Sequence, residues 1–161
     1  PIAELEARID EVSRAGDQAA LTEIGARAAA MRGTGELALE ATQAGASFAS
    51  AVTRAWPAMA SDASVYPVAV AVAAARADIP LDEALAAYLH AFAANLVSAA
   101  VRAIPLGQSD GLAVLASLEP AIEAARDAAL VRELDDAGAA APALDILSFR
   151  HETQYSRLFR S

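Results

Sequence analysis

The chain has 161 residues, a formal net charge of −9 and no cysteine. These values exclude a disulfide framework and a cysteine-based zinc site, and they argue against nucleic acid as a partner because no basic stripe could neutralise phosphates. Alanine supplies 46 residues, while residues that favour strands are sparse. Since alanine is the best helix former, we predict an all-α protein, a single-domain helical bundle of about seven helices.

Four helices are predicted in the first half of the chain. Apolar residues recur there every three or four positions, which is the spacing of one helical face. Gly16, a Gly33-Thr34-Gly35 break and Trp56-Pro57 separate the segments, because glycine and proline end helices. The predicted ranges are 2–15, 17–32, 36–55 and 67–77.

Three further helical segments are predicted in the second half. The longest runs over about 81–104 and ends before Pro105, and the next covers about 109–134. Pro120 lies inside that second segment and should kink or split it, because proline removes a backbone hydrogen bond. In the turn over 105–111, Gly107 allows a positive φ, and we expect Ser109 or Asp110 to cap the next helix. The last helix begins near residue 143.

The longest predicted helix contains eighteen uncharged residues between Glu83 and Arg102, a length that invites comparison with a membrane span. Eight of these residues are alanine, and His90, Asn95 and Ser98 interrupt the run. Its drive to enter a membrane is therefore weak. We predict a buried core helix and no membrane partner.

The end of the chain reverses the charge of the rest. Residues 150–161 carry a net charge of about +2 on an otherwise acidic chain. The pattern places an apolar face on the final helix, consisting of Leu144, Leu147, His151, Tyr155 and Leu158. Such a segment either packs back on its own domain or anchors a partner, since tyrosine and arginine are enriched at binding hot spots.

Reactive groups are few. The histidines are His90, which the pattern favours as a hydrogen-bonded core or interface residue, and His151. Neither has a second histidine at the spacing of a helical zinc site. A weak nickel site that uses His90 or His151 with oxygen ligands stays open as an alternative function. No catalytic set is apparent, so we expect a protein that is not an enzyme.

Three stretches resemble one protein family. The chain ends in Arg-His-Glu-Thr-Gln-Tyr-Ser-Arg-Leu-Phe-Arg-Ser, and residues 89–102 and 105–111 agree with the same family in the same order. That family is UreF, the urease accessory proteins. The resemblance implies an all-helical, cytoplasmic scaffold with no cofactor of its own. It would dimerise, bind UreD (UreH in some organisms) and recruit the GTPase UreG, so that the complex inserts nickel into apo-urease.

The resemblance also implies which residues meet partners. The family's N-terminal Gly-Phe-Ser-Tyr-Ser segment has no counterpart here, and we expect residues 1–161 to be a single UreF-like domain that lacks it. Partner-binding residues are expected to be Arg150, His151, Glu152, Gln154, Tyr155, Arg157, Leu158, Phe159 and Arg160. A dimer or GTPase-recruiting surface is expected at Arg102, Pro105, Leu106, Gly107, Gln108, Asp110 and Gly111.

Overall fold

The computed structural model describes residues 18–63, 65–132 and 141–155. These residues form seven α-helices and one 3-10 turn (Pro57–Met59), with no β-strand among them, which confirms the prediction of an all-α fold. The helices are α1 (Gln18–Ala30), α2 (Gly35–Ala55), α3 (Tyr66–Arg76), α4 (Leu81–Ala103), α5 (Gln108–Ser117), α6 (Glu119–Leu130) and α7 (Pro142–Glu152).

The helices begin and end close to the prolines, as predicted. Trp56 closes α2 by donating its backbone N–H to the Val52 carbonyl at 2.7 Å, and Pro57 follows at once. Pro67 lies in the first turn of α3. The segment predicted over 109–134 is split at Leu118, because Pro120 occupies the first turn of α6. The helix predicted over 2–15 lies outside the described residues.

The short connection between α3 and α4 contains one residue in the left-handed region. Asp78 has a φ of 53°, and the backbone N–H of Ile79 reaches back to the Ala74 carbonyl at 3.0 Å. This is the six-to-one hydrogen bond of a Schellman ending, in which glycine usually takes the left-handed position. Here an aspartate takes it, a residue type that tolerates this conformation better than most.

The hydrophobic core lies among α1, α2, α3 and the segment before α3. Val72 of α3 is 0% exposed and is the largest fully buried side chain among the described residues. Most of the cluster is alanine and valine, so the three helices approach closely through small side chains. The buried residues of this cluster are Leu21, Ala41, Ala63, Val65, Val68, Ala69 and Val72.

The longest helix, α4, lies outside that core. It packs against α3, α5 and α6, yet none of its 23 residues is buried. Phe92 and Leu96 are each 57% exposed, so the prediction of a buried core helix is wrong. By length and composition α4 could cross a membrane, with a mean hydropathy of 1.6 over its most apolar window. The core helix of a soluble protein meets the same criterion, so length and composition alone do not place α4 in a membrane.

The contact between α4 and α5 depends on a glycine. Gly111 is buried, and a Cβ placed on it would lie only 2.7 Å from Val101 Cγ2. In the turn before α5, Gly107 does not use the positive φ open to it: its φ is an ordinary −72°, and it serves as the N-cap. Asp110 accepts a hydrogen bond from the Gly107 N–H at 3.1 Å, so the aspartate does help to cap the helix.

Candidate interaction surfaces

The last described helix docks on the start of α2 through polar side chains. Thr34, the N-cap of α2, accepts a hydrogen bond from the Leu37 backbone N–H at 3.2 Å. Its hydroxyl also shares a 2.8 Å hydrogen bond with the hydroxyl of Ser148 on α7. Thr34 is only 5% exposed, and the buried hydroxyl is thus satisfied from both helices.

A carboxylate of α7 completes the cap. Glu152 Oε1 accepts a hydrogen bond from the backbone N–H of Glu36 at 2.8 Å. The first N–H groups of a helix have no partner within it and carry partial positive charge. Glu152 therefore satisfies one of these donors and places a negative charge at the end of α2 that stabilises it.

The histidine of α7 bonds to the same turn of α2. His151 Nδ1 lies 2.7 Å from Glu36 Oε2, where the imidazole N–H donates and the carboxylate accepts. The Glu36 side chain is 14% exposed and that of His151 36% exposed. We call the five residues of this contact the α2–α7 junction: Thr34, Glu36, Ser148, His151 and Glu152.

The apolar side chains of α7 point away from the body. Leu144 and Leu147 are both more than half exposed, so the alternative in which these residues pack the helix on its own domain is wrong. Ile146 and Phe149 are exposed as well. α7 is attached by its polar face and presents its apolar residues to solvent, the reverse of an ordinary surface helix.

The predicted partner-binding residues fall into three groups. Arg150 and Gln154 are exposed, whereas His151 and Glu152 belong to the junction. Tyr155 is fully exposed, and because α7 ends at Glu152 it does not share a helical face with Leu144. The remaining predicted residues, Arg157, Leu158, Phe159 and Arg160, lie outside the described residues.

The predicted dimer or GTPase-recruiting residues cluster at the α4–α5 turn. Arg102 donates from Nη1 to the Ser98 hydroxyl at 2.7 Å across one turn of α4. Gly111 is buried between the helices, while the other members are exposed. The exposed members are Arg102, Pro105, Leu106, Gly107, Gln108 and Asp110.

The two histidines lie in different environments. His90 is exposed on α4, so its interpretation as a core residue is wrong, while an interface role stays a prediction. His151 is hydrogen-bonded within the junction. Among the residues that the structure describes, no group of three or more histidine, cysteine, aspartate or glutamate side chains could hold a metal ion.

An apolar groove of about 610 Å³ lies between α2, α3 and α4, and sequence reasoning missed it. Phe48 and Tyr66 stack edge to face with ring centroids 5.7 Å apart, and Tyr88 follows 6.0 Å beyond Tyr66. Trp56 also lines the groove. A usable signal was present, because four of the eight aromatic residues fall within residues 48–88, on or beside three helices that are consecutive in the chain.

Tyr88, which lines this groove, has a shifted pKa. Burial raises the pKa of its hydroxyl above the ordinary value of 10.0, although the charge and hydrogen bond of Arg32 lower the pKa in part. Arg32 belongs to the turn between α1 and α2, two residues before Thr34. That turn therefore contacts both α4 and α7.

The described helices form an all-α protein with a polar junction, an open groove and exposed apolar side chains, features that are typical of protein-binding surfaces. A model of the UreF family matches residues 5–119, and the chain belongs to the UreF family.

Relatives named urease accessory protein UreF extend the match. The one from Granulibacter bethesdensis is 47% identical over 157 residues, 92% of this chain and 66% of its own length. Those from Xanthobacter autotrophicus and Azorhizobium caulinodans are 46% and 47% identical over 98% and 91% of this chain, and 68% and 67% of their own lengths. The chain thus spans about two thirds of these relatives.

Proposed function

We propose that the chain acts in urease maturation as a non-catalytic, cytoplasmic scaffold of one UreF-like domain. It binds UreD (UreH), recruits the GTPase UreG and works as a homodimer within that complex. Nickel is carried by the complex to apo-urease, and the chain needs no cofactor of its own. Family membership supports this proposal, as does the name urease accessory protein that the relatives carry.

The observation that carries the proposal is the exposure of α4. A 23-residue apolar helix with no buried residue leaves more apolar surface in water than a stable monomer usually does. Phe92 and Leu96 are its large exposed apolar side chains. The predicted dimer or GTPase-recruiting turn begins where α4 ends. Together these features favour a protein whose surface is completed by partners.

The C-terminal segment is the proposed anchor for UreD. Arg150, Gln154 and Tyr155 are exposed. Arginine and tyrosine are typical of binding hot spots. The net positive charge of residues 150–161 also favours an acidic patch on the partner.

Co-purification tests the function. Wild-type protein and a truncation that lacks residues 154–161 would each be expressed with UreD, and the captured complex would then be offered UreG. We expect the truncation to lose UreD and therefore UreG while far-UV circular dichroism stays unchanged, because the junction residues remain. Equal capture by both proteins would contradict the proposed anchor.

Direct nickel binding is the alternative function, and a separate measurement addresses it. Equilibrium dialysis with Ni²⁺ would compare the wild type with His90→Ala and His151→Ala. The scaffold function requires no tight site, so we expect the three proteins to bind equally weakly. Tight binding that one substitution removes would favour the alternative.

A further inference from the structure

We propose that the α2–α7 junction is a latch that fixes how α7 and the exposed residues Arg150, Gln154 and Tyr155 are presented to a partner. On this proposal Ser148, His151 and Glu152 are positioning residues for partner capture, acting through α7 rather than by touching the partner. The inference rests on the proposed function, since it assumes that the C-terminal segment meets a partner.

The geometry makes the latch specific for one register of α7. Glu152 bonds to a single backbone N–H of α2, and Ser148, one helical turn earlier, bonds to the N-cap hydroxyl. A shift of α7 by one residue would bring His151 or Thr153 to the position of Glu152, and neither is a carboxylate. Directional hydrogen bonds thus determine the position of the helix where apolar contact would allow it to slide.

The same geometry makes the latch reversible. The large apolar residues of α7 are exposed, so few buried contacts hold the helix in place. Each hydrogen bond of the junction shifts the docking equilibrium by only about two- to tenfold, and more where a charge takes part. A partner that prefers the docked form can therefore shift the population towards it.

The docked helix is the form that suits a partner. Its polar face is occupied by α2, while Leu147, Phe149 and Arg150 face outward and the chain continues to the fully exposed Tyr155. A helix already held in place loses less conformational entropy on binding than a free segment does. Docking before capture should therefore tighten partner binding.

A reversible cross-link tests this inference. The sequence contains no cysteine, so Thr34→Cys with Ser148→Cys would form one unambiguous disulfide where two hydroxyl oxygens now lie 2.8 Å apart. UreD affinity would be measured for the full chain, for Glu152→Ala and for Glu152→Ala in the double-cysteine background. We expect Glu152→Ala to weaken capture about tenfold, the oxidised disulfide to restore it, and reduction to abolish the rescue.

Conservative substitutions supply a second test that leaves Thr34 intact. Glu152→Gln keeps an oxygen that accepts from the Glu36 N–H, and His151→Asn keeps an N–H donor near the position of Nδ1. Both should bind UreD within about threefold of the wild type, whereas Glu152→Ala and His151→Ala should not. Equal loss in the conservative and alanine variants would overturn the proposal.

Two results separate failure of the latch from failure of the proposed function. If the oxidised Glu152→Ala protein binds as weakly as the reduced one, Glu152 contacts the partner directly and the latch is wrong. If even the wild type captures no UreD, the proposed function fails instead. The latch is then tested by amide hydrogen exchange in α7. Glu152→Ala should accelerate this exchange, and the disulfide should slow it again. Unchanged exchange would contradict the latch.

Discussion

Gly111 is the residue at which α4 and α5 come closest. A Cβ there would stand 2.7 Å from Val101 Cγ2, and valine cannot turn its branched side chain aside easily. We expect Gly111→Ala to destabilise the protein by about 1–2 kcal/mol, because overpacking outweighs the gain in helix propensity. Urea unfolding would measure this, and adding Val101→Ala should recover part of the loss.

Gly25 provides the matched control within α1. A Cβ on Gly25 would meet only Val65 Cγ2, at an ordinary 3.9 Å. The same Gly→Ala change should therefore stabilise the protein by up to about 1 kcal/mol through helix propensity. A loss of stability at both glycines would show that helix packing around them is tighter than these distances indicate.

Asp78 carries the left-handed turn before α4, and its φ of 53° decides which residues fit there. Asp78→Asn and Asp78→Val both remove the carboxylate, but only valine resists this conformation. We expect Asp78→Val to be about 1–2 kcal/mol less stable than Asp78→Asn in thermal or urea unfolding. Equal stabilities would mean that the turn relaxes to a different backbone.

At the scale of elements, the partial burial of Tyr88 on α4 predicts a response to alkaline pH. The raised pKa of Tyr88 means that the fold favours the neutral phenol. This contribution is fully present below the unfolded pKa of about 10 and is lost as pH rises through the folded pKa. Urea unfolding at pH 9 and pH 11 should show a larger loss for the wild type than for Tyr88→Phe. The exposed Tyr155→Phe should behave like the wild type.

Element boundaries were predictable because their causes are local. Proline ends or starts a helix by its own covalent geometry. The breaks near Pro57, before Pro105 and at Pro120 therefore fall where the sequence placed them.

Faces were harder to predict than boundaries. The periodicity of α4 indicated one apolar stripe, but periodicity does not say whether another element covers it, and here Phe92 is exposed. The partners of α7 in the junction lie more than 110 residues away in the chain. No local pattern could show that Ser148 and Glu152, rather than Leu144 and Leu147, would face the body.

At the scale of the whole molecule, we expect stability and partner binding to depend on different helices. Val72→Ala should cost about 2 kcal/mol in urea unfolding, because it empties part of the core. Phe92→Ser with Leu96→Ser should change stability by less than about 1 kcal/mol, since both side chains are already exposed.

The two variants should rank in the opposite order when assembly is measured. We expect the α4 double variant to self-associate less in sedimentation experiments and to capture less UreG with UreD, and the core variant to assemble normally below its melting temperature. A large loss of stability in the α4 variant would show instead that this surface supports the fold.

The uncovered surface of α4 has a consequence for abundance. Before partners cover that surface, the net charge of −9 opposes uncontrolled aggregation, a repulsion that physiological salt confines to within about 8 Å. Chains made in excess of their partners should aggregate or be degraded before they enter a complex. Its synthesis should consequently be matched to that of the proteins it assembles with, and overproduction alone should yield precipitate.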